Sequence, residues 1–161
     1  MIESLLSQKK TAVLKRWFTL ILESYPPDSR GFLKRENDRF TNPVGYTIFH
    51  EIETIYNELL EGTNCDKLAE SLENIIKIRA VQDFSPSEAV AFVFDLKKAI
   101  RESLEKEING NQLFEELLKF EIRIDETALI AFEIYMKCRE KIHEIRMNEV
   151  KGRSLKKVER C

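Results

Sequence analysis

The stretch Ser85-Pro86-Ser87-Glu88-Ala89-Val90-Ala91-Phe92-Val93-Phe94-Asp95-Leu96 decides the fold. It opens with serine, then glutamate three residues on, the pattern of a capping box in which side chains satisfy the free amides of a helix start. Proline follows the serine, at the one helical position where a missing N–H costs nothing. The residues after it are apolar nearly all round, from Ala89 to Leu96. A helix with no polar face has to sit at the centre of other helices. The spacing carries it on through Ile100 and Leu104 to a stop at Asn109-Gly110.

Working outward, the same punctuation organises the rest. Asn42-Pro43 reads as a cap followed by proline at the first position of a helix bearing Ile48, Ile52, Ile55 and Leu59, ending near Gly62. Another starts around Asp66 with Leu68, Leu72 and Ile75 on its stripe. Upstream, apolar residues Leu6, Val13, Trp17, Leu20 and Ile21 predict a helix from about Glu3 to Ser24. Tyr25-Pro26-Pro27 stops it, and residues 26–42 read as one long irregular loop. From Asn111 to Lys151 no breaker occurs, which would make a helix of about 60 Å at 1.5 Å per residue. That is roughly twice the reach of the other helices. The segment therefore either breaks near Arg123–Thr127 or projects as a stalk.

Five Gly and four Pro in 161 residues support this all-helical reading, since sheet-rich domains use more of both in turns. The expected fold is all-α: a single antiparallel helical bundle of five to seven helices with a long C-terminal helix. Residues 1–150 form the domain and 151–161 a basic tail with five Lys or Arg against one Glu.

Composition excludes several functions. A net charge of -2 argues against a general nucleic-acid binder, whose footprint is basic. The longest apolar run, Ala89–Phe94, is far too short for a membrane span. Cys65, Cys138 and Cys161 are scattered, with no CxxC spacing, as expected of reduced thiols. The start, MIESLLSQKK, lacks the charged and then apolar regions of a signal peptide, so a cytoplasmic location is expected.

Catalytic chemistry finds little support. Glu140-Lys141-Ile142-His143 has the Glu-x-x-His spacing of di-iron bundles, but those sites need a second such motif. The other histidine, His50, has Thr47 in the matching place. No Gly-flanked serine elbow or Gly-rich phosphate loop is present. No metal, no cofactor and no enzymatic activity are therefore expected. The alternative is a bundle that binds a small ligand or redox cofactor, with His50, His143 or Cys138 as contacts.

Polar residues on apolar stripes are more informative. Arg79 follows Leu68, Leu72 and Ile75 on one face; Asp125 shares a row with Leu118, Ile122, Leu129 and Phe132. A buried arginine needs a carboxylate or several carbonyls. An inter-helix Arg79–Asp125 pair is the expectation, with Asp83 as a competing partner and solvent as the alternative for Arg79. Arg79, Gln82, Asp83 and Asp125 are thus the candidates for a polar core or ligand pocket, with Asn42, Ser85 and Glu88 as helix caps.

These segments carry a family resemblance. Phe32-Leu33, Asp38-Arg39-Phe40-Thr41-Asn42-Pro43-Val44-Gly45 and Ile78-Arg79-Ala80-Val81-Gln82-Asp83-Phe84-Ser85-Pro86-Ser87-Glu88-Ala89 resemble the RsbRD amino-terminal domain family. So do Ala91–Lys97 and residues 131–136. The resemblance runs from about Trp17 to Glu149 and implies a non-enzymatic, all-helical regulatory or sensory domain. Its relatives are named for RsbT co-antagonists in bacterial stress signalling, and similar helical modules precede histidine kinases. Here no STAS or kinase domain follows before Cys161, so the expectation is a standalone form acting through a separate protein partner. The long last helix is the expected docking surface, with a homodimer as one use of it.

Overall fold

The computed structural model describes all residues except Glu36, Thr63, Gly110 and Cys161, and also leaves aside the side chains of Asn111 and residues 157–160. Among the described residues every regular element is a helix: α1 (Ile2–Gln8), α2 (Lys10–Leu22), α3 (Pro27–Leu33), α4 (Pro43–Glu61), α5 (Cys65–Val81), α6 (Pro86–Ser103) and α7 (Asn111–Arg160). Five of them close a ring in the order α2–α6–α7–α5–α4, with α1 set against α2, α4 and α7. A ring of five cannot alternate throughout. Its parallel pair is α5 with α7: Arg123 lies beside Cys65 and Leu68 at the start of α5, and Arg139 reaches the Ala80 carbonyl at its end.

The stretch that opens α6 caps as its pattern requires but does not place the helix at the centre: Ala91 and Phe94 are exposed, and α6 is one wall of the ring between α2 and α7. Ser85 accepts from the Glu88 amide at 3.3 Å, and Ala89, Phe92, Val93 and Leu96 are buried. The reciprocal half of the box is not made; Glu88 instead lends its carbonyl to Arg79. Trp17 of α2, fully buried, donates its indole N–H to the Phe92 carbonyl at 2.6 Å and ties α2 to the middle of α6. A buried indole N–H left unpaired would be costly, so this bond also fixes the ring orientation.

Three boundaries differ from the expectation. The first helix divides at Lys9, because the Leu6 carbonyl is taken by the Tyr56 hydroxyl at 2.6 Å. No Gly or Pro signals that change, which a tertiary contact imposes. Residues 26–42 contain α3: Pro27, read only as a stop, also begins a helix. Buried Asn42 then accepts from the Gly45 amide and donates to the carbonyls of Phe32, Leu33 and Arg35. A Cβ on Gly45 would collide with the Asn42 side chain and the Leu33 carbonyl, so only glycine lets the two segments meet. Finally, α6 ends at Ser103 and turns follow to Asn109. The expected stop at Gly110 lies outside the described residues.

Of the two alternatives for the last segment, the unbroken helix is observed. Thr127 donates back to the Arg123 carbonyl at 2.8 Å with the helix intact. At 50 residues α7 is about 75 Å long. Its inner row, Leu117, Phe120, Ile124, Ala128, Ala131 and Tyr135, is buried against α5 and α6. From His143 to Lys156 every residue is exposed, so the end stands clear of the bundle.

Candidate functional site

Arg79 lies in the last turn of α5 with 1% of its surface exposed. Its position faces the first turn of α6, and there it finds carbonyls rather than a carboxylate. Nε donates to the Ala89 carbonyl at 3.1 Å, and Nη2 to the Glu88 carbonyl at 2.9 Å and to Ser24 Oγ at 3.3 Å. The guanidinium lies 4.2 Å from the centroid of the Phe84 ring, with Tyr25 and Phe92 also close. Such contacts let a cation trade hydration for ring faces and backbone dipoles.

The expected pair with Asp125 is not formed, and among the described residues Arg79 has no ion pair. Asp125 bonds Lys97 of α6 at 2.6 Å on the far side of that helix. The competing partner, Asp83, is 74% exposed and pairs with Arg139 of α7 at 3.6 Å. The physical reason is that α7 carries two apolar rows. The one holding Asp125 (Leu118, Ile122, Leu129, Phe132) faces solvent, whereas Arg79 points toward the α2–α6 side.

The α5–α6 corner therefore unites Arg79, Gln82 and Asp83, without Asp125, and adds residues the sequence did not single out. Tyr25 donates its hydroxyl to Gln82 Oε1 at 2.8 Å, while its ring meets Phe84 edge-on at 5.5 Å. Tyr135 of α7 donates to the Phe84 carbonyl at 2.6 Å. Asp83 adopts a left-handed backbone, φ 60°, which an aspartate tolerates better than most residues. A cleft of about 340 Å³ opens beside Ser24, Tyr25, Gln82, Asp83 and Glu88. Behind it, Nη1 of Arg79 has no hydrogen-bond partner.

Burial sets the ionisation of this corner. It pulls the Arg79 guanidinium below the ordinary arginine value, opposed by Tyr25, Asp95 and Glu88. Burial likewise raises the Tyr25 hydroxyl. Asp95 on α6 is raised by burial, with Arg79 acting in the opposite direction. Asp95 and Glu88 are thus the carboxylates whose field Arg79 feels, and Asp95 was not among the residues the sequence singled out. The helical row would have to be read across two helices to find it.

The other candidates are dispersed. His50 is exposed, stacked at 3.9 Å on Tyr46 and bonded to its carbonyl. His143 is exposed on the free part of α7. Cys138 is half-buried and Cys65 exposed, both as free thiols; Cys161 lies outside the described residues. Among the described residues no three His, Cys, Asp or Glu side chains converge as metal ligands would. No helix among them is long and apolar enough to cross a membrane.

The second notable surface is the outer side of α7. Leu118, Ile122, Leu129, Phe132 and Met136 are all exposed, and Leu129 reaches 69%. Asp125 interrupts this row, held by Lys97, while Phe94 of α6 extends it sideways. Exposed apolar patches of this extent mark contact surfaces in soluble proteins.

The profile of the RsbT co-antagonist protein RsbRD N-terminal domain matches residues 11–150. An uncharacterized protein of Archaeoglobus fulgidus is 32% identical over 92 residues, covering 56% of this chain and 56% of that protein's length. No solved structure matches the chain.

Proposed function

The chain belongs to the RsbT co-antagonist protein RsbRD N-terminal domain family, and from that premise we propose that it is a non-enzymatic regulatory module acting through protein–protein contact. The family match supports a stress-signalling regulatory helical domain. The finer reading is a cytoplasmic, bacterial sensor or adaptor whose partner is a signalling or output protein. The observation that carries it is the unpartnered apolar row on the outer side of α7, which runs to Met136, just before the exposed end of the same helix. A rigid helix that is both a bundle wall and a projecting arm connects the packed core to whatever docks on it.

The test is capture from native lysate with the wild-type chain and with Leu129→Glu. Specific partners retained by the first and lost by the second are expected. Retention of every partner by Leu129→Glu overturns the reading.

A second reading has one observation in its favour. The cleft at the α5–α6 corner lies over a buried guanidinium with an unpartnered nitrogen, a feature suited to a small polar ligand. Native mass spectrometry and an absorption spectrum of protein purified from its own host test it. A bound small molecule or a redox-cofactor band supports ligand sensing, and mass and spectrum of the bare chain count against it.

A further inference from the structure

We propose that the cleft at the α5–α6 corner binds a small zwitterion of the free amino-acid class, its carboxylate on the Arg79–Gln82 side and its ammonium on the Glu88–Asp83 side. The proposal rests on the ligand-binding reading of that cleft and names the chemistry of its occupant.

The donors come first. Arg79 is 1% exposed, and its Nη1 has no partner. The guanidinium abuts the cleft through two of its wall residues, since Nη2 donates to Ser24 Oγ and to the Glu88 carbonyl. Gln82 spends its Oε1 on the Tyr25 hydroxyl, which leaves the amide nitrogen to donate. Gln82 is exposed, so its amide is the donor an entering ligand meets first, with the cation behind it.

The acceptors lie on the same cleft. Glu88 and Asp83 both line it and are exposed. Asp83 is paired with Arg139, whereas among the described residues no cation pairs with the Glu88 carboxylate. The Glu88 charge acts on Arg79, so the two signs sit within one small site.

That bipolar arrangement selects the ligand. A simple anion would gain Arg79 but face two carboxylates, and a dianion such as phosphate would be repelled more. A simple cation would gain Glu88 but face the buried guanidinium. A molecule carrying both charges a few atoms apart meets each with its opposite. Pro26 and Phe84 give the cleft apolar wall for a side chain, and its volume of about 340 Å³ is that of a small-ligand pocket.

The test is calorimetric titration of the full chain with the common amino acids, one at a time. Each amino acid that binds is then compared with the same acid lacking its amino group and the same amine lacking its carboxylate. At least one amino acid should bind with a Kd of about 1 mM or tighter, and both truncated forms at least tenfold more weakly. Two exposed positions locate the site, with folding checked by circular dichroism. Glu88→Gln should erase the preference for the amino acid over its deaminated form. Gln82→Glu, which sets a like charge against the ligand carboxylate, should weaken binding at least tenfold. Binding of no amino acid, equal binding of the deaminated acid, or wild-type behaviour of either variant overturns the proposal. The broader ligand reading survives such a result when native mass spectrometry of host-purified protein shows another bound molecule, and falls with it when the chain is bare.

Discussion

Lys97 on α6 holds the Asp125 carboxylate of α7 at 2.6 Å, in the middle of an otherwise apolar exposed row. The arrangement separates two polar residues that share a sequence character. Arg79 is internal, bonded to the Ala89 and Glu88 carbonyls and to Ser24 with Nη1 left unpartnered; Asp125 lies on the outer row and is ion-paired with a neighbouring lysine.

Arg79 and Asp125 should therefore be energetically independent. Arg79→Ala should cost about 2–4 kcal/mol, because it leaves a hole beside Phe84 and removes one buried and two partly buried hydrogen bonds. A double-mutant cycle with Asp125→Ala, read by urea unfolding, should give a coupling below about 0.5 kcal/mol. A larger coupling would restore the direct pair.

Asn42 and Gly45 form the joint between α3 and α4. Gly45→Ala should destabilise by about 2 kcal/mol or more, since its methyl meets the Asn42 side chain and a backbone oxygen. Asn42→Ala should cost about 1–3 kcal/mol, losing a cap and the bonds that close the 34–41 segment. Thermal unfolding of both variants, with proteolysis to report cleavage in that segment, checks this.

Asp95 gives a pH signature. Its carboxyl is raised on folding by burial, so the folded state prefers it protonated. The stability tied to that preference is present below the ordinary value of 3.8 and is lost as pH rises through the higher folded value. Asp95→Asn should therefore unfold at higher urea than the wild type at pH 7, with the difference shrinking by pH 3. A variant less stable at pH 7 would show that the Arg79 field outweighs burial.

Much of this was readable beforehand, for physical reasons. The capping signal at Ser85-Pro86 and the all-round apolar run after it are local, and local signals fixed α6. The Asn42-Pro43 start was equally plain, and the absence of breakers after Asn111 left a long helix as one of two outcomes. The division at Lys9 was hidden because Tyr56, fifty residues away, causes it. The α5–α6 corner was half legible: Arg79, Gln82 and Asp83 stood out by position, whereas Tyr25 and Asp95 reach it only through tertiary packing. Asp125 was misplaced because a helix with two apolar rows does not announce which one faces inward.

The central claim is that the outer side of α7 is where the protein meets other proteins. A photo-cross-linking side chain at position 129, and a control at exposed Lys15 on α2, test it in living cells. The account predicts discrete protein adducts from position 129 and none from position 15. Adducts from position 15 with none from position 129 would contradict it.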